Sequence, residues 1–225
     1  MSAASAECIL FAGPSARDTE LRLDGIELRS PAQRGDVAAL IDARAPGVMA
    51  LADGVFHLSL AVGHAELRDA VAGGWQVWGL SSLGAIRACE MRHLGMRGYG
   101  VVYRQFVADG GFSDDEVALL HAPDPPYQAL SEPLIHIRIA LQALVDHGAI
   151  APAQRRALLN RLKKMWYGDR TLSFVKAALI DGDPRLLPAV DAWLARFQQY
   201  RVKSKDLQDF LRTRPFSDPG TPRHH

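Results

Sequence analysis

Residues 75 to 90 read WQVWGLSSLGAIRACE, with Ser81 and Ser82 held between Gly79 and Gly84. A β-rich run stops at Gly79 and a helix-forming run follows at once, so the two serines lie at a strand-to-helix turn. The first-turn amides of a helix lack intrahelical acceptors, and the helix dipole is positive there. A serine at Ser82 can therefore cap the helix, help hold an anion, or serve as a nucleophile beside an oxyanion hole. The spacing resembles the Gly-x-Ser-x-Gly elbow but departs from it, because two residues separate Gly79 from Ser82.

Other chemistry-bearing residues lie close by in sequence. His64 and Glu66 open the preceding helical run, where a histidine caps, packs, or accepts a proton from a serine at about 2.6–3.2 Å. His57, four residues after Asp53, is a second candidate base. Arg87 and Glu90 are three apart on the helix after Ser82, which fits an intrahelical ion pair or a grip on an anionic substrate. Ser113 and Glu116 have the spacing of a capping box. Arg138 falls on a largely apolar helix and needs a carboxylate partner if it is buried. No His or Cys set has zinc-ligand spacing, so no metal is expected. Cys8 and Cys89 do not make a disulfide framework, and Cys89 belongs to no ligand set.

These residues need a frame to bring them together. The first half alternates short apolar runs (CILFAGPS, IELRSPA, GVMALADGVF, WQVWGL) with helical ones, the pattern of a parallel sheet covered on both faces. The expected fold is α/β: an open, mostly parallel Rossmann- or flavodoxin-like sheet of four or five strands, followed by an all-helical half. In such sheets ligands bind beyond the carboxyl ends of the strands. The turns at Gly13-Pro14-Ser15, Asp53-Gly54 and Gly79 to Gly84 then gather along one rim. Boundaries are expected at 1–110 for the α/β core and 111–214 for a basic helical region packed on it, with 215–225 as a tail.

Composition narrows the class further. The 225 residues are 48% hydrophobic, enough for a sizeable core, and the formal charge is +1. That balance hides an asymmetry, since Ala151 to Arg214 carries 14 Lys or Arg against 6 Asp or Glu. A basic helical segment can hold nucleic acid, meet an acidic partner, or simply face water. The chain shows no secretory signal and no apolar stretch of about 20 residues, so a cytoplasmic location is expected and a membrane span is not. No Gly-x-Gly-x-x-Gly follows the first strand and no Gly-Lys-Ser or Gly-Lys-Thr occurs, which weighs against dinucleotide and P-loop sites.

Taken together, FAGPS, SPAQRGD, DGVF, HAEL, GLSSLGAIRACEMRHLGMRGYG, DDEVALLH and SEPLIHIR resemble the TfuA-like family that accompanies YcaO enzymes. The resemblance covers roughly residues 9 to 145, with a fainter echo at WYGDRT. Cys89 stands where alanine is expected, His136 where asparagine is expected, and Arg68 interrupts an apolar run after HAEL. The resemblance implies a sulfur-supplying partner of YcaO: hydrolysis of a thiocarboxylated sulfur-carrier protein, releasing hydrosulfide for backbone thioamide formation in a ribosomally made peptide. No cofactor is implied. The expected partners are YcaO and the carrier, without nucleic acid or membrane, and a homodimer is allowed.

The mechanism to be tested has Ser82 attack and His64 accept its proton, with Asp53 or Glu66 orienting His64. Ser81, Gly84 and Arg87 would hold the developing charge, supported by Glu90, Ser15 and Arg138. A variant lets water attack with Ser82 only positioning it. Two competing readings are a non-catalytic accessory protein that scaffolds YcaO or its peptide, and a serine hydrolase for small esters.

Overall fold

The computed structural model describes residues 7–17, 20–55 and 60–217. They fall into two compact units: the described residues of Met1–Phe112 with those of Lys203–His225, and Ser113–Val202.

The first unit holds the sheet. Strands β1 (Cys8–Phe11), β2 (Ile26–Arg29), β3 (Val48–Leu51), β4 (Gln76–Leu80) and β5 (Arg97–Tyr99) are all parallel, in the order β2-β1-β3-β4-β5. The expected α/β sheet is present, with five strands. This order reverses between β1 and β3, so the crevice at which open sheets take ligands lies over the carboxyl ends of those two strands. Helices α1 (Asp36–Ala43), α2 (His64–Ala72), α3 (Leu83–Met91) and α4 (Gly100–Ala108) complete the alternation.

Side chains alternate across the strands, and both sets are buried. Leu10, Ala50, Trp78 and Leu80 point to one face; Ile9, Phe11, Met49, Leu51 and Val77 belong to the other. The connection from β1 to β2 contains, among its described residues, only a 3₁₀ turn at Pro14–Ala16. It therefore brings no helix to cover the first face. That cover comes from α9 (Val202–Thr213), whose Leu207, Phe210 and Leu211 pack with Leu10, Ala50, Trp78 and Leu80. Phe210 meets Trp78 and Tyr99 edge-on, with centroids 5.6 and 5.3 Å apart. The last helix, grouped with the helical half on its sequence, is thus part of the sheet unit from Lys203 onward.

The second unit is helical: α5 (Leu134–Asp146), α6 (Pro152–Lys163), α7 (Leu172–Gly182) and α8 (Leu187–Ala195). Its core gathers Leu141, Leu162, Val175 and Trp193. Arg170 is fully buried and donates to the carbonyls of Leu162, Met165 and Asp115 and to the Asp115 carboxylate, which joins three segments of the unit. The DDEVALLH stretch forms only a 3₁₀ turn at Asp114–Glu116, and Ser113 makes no side-chain cap. The expected capping box is absent because Glu116, fully buried, is drawn to Arg138 and Lys163 instead.

Helix α9 also fastens α4. Both oxygens of Asp206 accept from the start of that helix, Val101 N–H at 2.8 Å and Val102 N–H at 2.9 Å. Gly100 has φ +91°, and a Cβ there would sit 2.2 Å from the Asp206 carboxyl carbon, so only glycine admits this cap. Burial pushes the Asp206 carboxyl up to about 6, opposed by the two amides and by Arg104 and reinforced by Asp209. The folded state therefore binds a proton more tightly than the unfolded chain does. The stability this proton adds is complete below the ordinary aspartate value and is lost as pH rises through about 6. In urea titrations, the stability of the wild type relative to Asp206→Asn should fall as pH rises from about 4 to about 6.5, by roughly 2 to 3 kcal/mol in total. A pH-independent difference would show that the carboxyl does not titrate as described.

Candidate functional site

The turn from β4 to α3 is shaped by how closely the helix lies on the sheet. A Cβ on Gly84 would fall 1.7 Å from the Leu51 carbonyl oxygen, and one on Gly79 would fall 2.0 Å from the Gly84 carbonyl oxygen. Both glycines are therefore required by contact. The same approach brings the Ser82 and Gly84 amides onto the Ala52 carbonyl, at 3.1 and 3.4 Å. These two donors, expected to face an oxyanion, are spent on the end of β3.

The serines divide the remaining work. Ser81 has φ +63°, a conformation that costs a non-glycine residue about 1 kcal/mol. It is fully buried, and its hydroxyl donates to the Lys203 carbonyl at 2.8 Å, which ties the turn to the start of α9. Ser82 is the N-cap residue of α3 and 2% exposed, and its side chain makes no capping bond.

Asp53 stands at the reversal point of the sheet, 3% exposed. Its carboxylate accepts from the Gly13 amide at 2.8 Å, the Ser15 amide at 2.8 Å and the Ser15 hydroxyl at 2.7 Å. Three donors satisfy a buried charge that would otherwise be costly. The carboxylate of Asp53 thus clamps the end of β1 to the end of β3, and Ser15 is its partner. It does not orient His64. Glu66 does not either: its oxygens accept from Gly63 N–H at 2.7 Å, Gly35 N–H at 3.0 Å and Ala38 N–H at 3.3 Å, serving the starts of α2 and α1.

His64 has a different carboxylate. Its Nε2 lies 2.8 Å from Glu90 Oε2, and the same oxygen accepts from Arg87 Nη1 at 2.7 Å. Arg87 Nε donates to the Val62 carbonyl at 3.1 Å, which locates the residues before His64 along α3. The His64 side chain is 56% exposed and the Arg87 side chain only 14%. Glu90 follows Ser82 by eight residues, about 12 Å along a helix axis, so the bond to Glu90 holds His64 well down α3 from the serine. The structure thus gathers the candidates into two groups: the buried clamp Asp53–Ser15 with the Ser81–Ser82 turn, and the open cluster His64–Glu90–Arg87.

Other candidates lie elsewhere. Arg138 belongs to the helical unit, where it has the carboxylate partner its burial requires, Glu116. His57 lies outside the described residues. Burial pushes the Cys8 thiol up to about 12, so this sulfur stays protonated and inert at neutral pH. The Cys89 sulfur accepts from Arg92 Nη1 at 3.4 Å. Among the described residues, no group of three or more His, Cys, Asp or Glu could hold a metal ion. No helix among them is long and apolar enough to cross a membrane.

Two residues of the sheet unit escaped sequence reasoning. Lys203, 2% exposed, supplies the carbonyl that fixes Ser81, and Asp206 caps α4. Both lie more than 100 residues from the elements they hold, and no local spacing announces them.

With this geometry in view, the chain belongs to the TfuA-like protein family, which matches residues 53–171. The matched span runs from Asp53 through the serine turn and the His64–Glu90–Arg87 cluster to Thr171. No curated protein matches the chain.

The close approach of α3 to β3 makes a direct prediction. Gly84→Ala should lower stability by at least about 3 kcal/mol, because neither backbone at the contact can yield. Ser82→Ala, which removes no capping bond, should cost less than about 1 kcal/mol. Guanidinium denaturation of both variants checks the pair, and a Gly84→Ala protein of wild-type stability would refute the contact.

Proposed function

We propose that the protein is a YcaO-associated hydrolase that releases hydrosulfide from a thiocarboxylated sulfur-carrier protein, for thioamide formation in a ribosomally synthesised peptide. The observation that carries this reading is the family match over residues 53–171, a span that contains the one cluster among the described residues with an exposed histidine braced by a carboxylate and an arginine. The reaction converts R–CO–S⁻ and water to R–COO⁻, HS⁻ and a proton.

The thiocarboxylate is anionic, so its carbonyl carbon resists attack until a cation lies beside it. Arg87 is the cation of this cluster. Glu90 holds His64 by Nε2, which leaves Nδ1 to take the proton from the attacking water, as a histidine oriented by a carboxylate does in hydrolases. Hydrosulfide then leaves with the electrons of the broken C–S bond and needs little acid assistance. Water attack suits this arrangement better than a covalent serine, because Ser81 is bonded to Lys203 and His64 is bonded two turns along α3 from Ser82. The carrier or YcaO would dock on the basic helical unit. There α6 carries Arg155, Arg156, Arg161 and Lys163 and no acidic residue, so association should weaken with salt.

One observation favours a second reading, a non-catalytic accessory protein. Asp53, Ser81 and the Ser82 and Gly84 amides all have structural partners, as the parts of a scaffold would. Mass spectrometry of thiocarboxylated carrier incubated with the purified protein separates the two. Hydrolysis predicts loss of the terminal sulfur, slowed at least ~100-fold by His64→Ala or Glu90→Gln and less than ~10-fold by Ser82→Ala. The reverse order would reinstate a serine nucleophile, and an unchanged carrier, with or without YcaO, would leave the accessory reading.

A further inference from the structure

A cavity of about 730 Å³ opens beyond the carboxyl end of β5, away from every residue used above for hydrolysis. Its walls are the segment Glu20–Arg22, the start of α4, and α9. The volume is that of a small-molecule site. Tyr99, Val101, Leu21 and Leu211 give it an apolar floor.

Its charges are unevenly committed. The acids of α9 are already occupied: Asp206 holds the Val101 and Val102 amides, and Asp209 accepts from the Tyr99 hydroxyl and pairs with Arg212. By contrast, the side chains of Arg22, Arg104 and Lys205 make no hydrogen bond or ion pair among the described residues. Glu20 is the one carboxylate of the lining that is equally uncommitted. Three cations from three separate segments, none of them hydrogen-bonded and Arg104 alone within the field of Asp206 and Asp209, thus line one cavity. Two of them are guanidinium forks, which match the oxygens of a phosphate.

We propose that this cavity binds a small organic phosphate, with Arg22, Arg104 and Lys205 on the phosphate and the body of the ligand against Tyr99 and Leu211. The site stands one strand over from the serine turn, since Tyr99 pairs with Leu80. It is also built on the helix whose first turn fixes Ser81.

Calorimetric titration with phenyl phosphate, inorganic phosphate and phenol tests the assignment. Phenyl phosphate should bind more tightly than inorganic phosphate, phenol should not bind, and added salt should weaken the complex. The double variant Arg22→Ala/Arg104→Ala should lose at least ~10-fold in affinity for phenyl phosphate. Lys176→Ala in the other unit should bind like the wild type, and circular dichroism verifies that the variants are folded. Absence of phenyl phosphate binding, or equal binding by the folded double variant, would overturn the proposal. So would inorganic phosphate binding as tightly as its ester. None of these results depends on sulfide release, so this site and the hydrolase reading stand or fall separately.

Discussion

The absence of a side chain at Gly79 and Gly84 is the constraint on which the rest of the sheet unit depends. It lets the first turn of α3 press against Leu51 and Gly79. That contact turns the Ser82 and Gly84 amides onto the Ala52 carbonyl and forces Ser81 into a left-handed conformation. The residue that follows Ala52 is Asp53, so the same strand end that receives α3 also reaches across to Gly13 and Ser15. Three strand ends are locked by one short set of contacts.

The turn is completed from far away in the chain. Because the β1–β2 connection leaves one face of the sheet without a helix, the apolar side chains of β1, β3 and β4 need a cover, and α9 supplies it. Having crossed to that face, α9 does more than bury Phe210. Its first residues accept the Ser81 hydroxyl, and its second turn caps α4 through Asp206. Hydrophobic burial of this kind is non-directional. Registration along the rim comes from these polar bonds, one of which carries a buried carboxylate at the cost of a raised proton affinity.

Much of the frame was legible in the sequence. Four apolar runs interleaved with helical ones specified a parallel sheet, and turn residues at their ends specified its rim. The strand β5 was harder, since RGY is three residues long and gains its place only by pairing with Trp78 to Leu80. In DDEVALLH, tertiary pairing of Glu116 with Arg138 overrode a helix-start pattern. The amphipathic stripe of α9 was readable, but the face it covers was not. Of the candidate residues, Asp53, Ser15, Ser81 and Ser82 lie in turns at strand ends, whereas the partners of the candidate side chains were not readable. His64 pairs with Glu90 because α2 runs beside α3, and neither Asp53 nor Glu66 could be excluded as its partner by spacing alone.

The division between a locked turn and an open cluster bears on what chemistry the rim can support. A serine nucleophile needs a free hydroxyl beside a base and at least one free donor for the oxyanion. Around Ser82 its own amide and that of Gly84 are committed to Ala52, and the neighbouring hydroxyl is committed to Lys203. A water nucleophile needs none of these, only a base with one nitrogen fixed and the other accessible. His64 meets that condition, with Glu90 on one nitrogen and more than half of its side chain in solvent. Arg87, mostly buried, is held by the Val62 carbonyl and Glu90, which keeps its guanidinium in place beside that base. A cation fixed before the substrate arrives loses no side-chain entropy on binding, which is the condition under which it stabilises a second negative charge at the carbonyl most effectively.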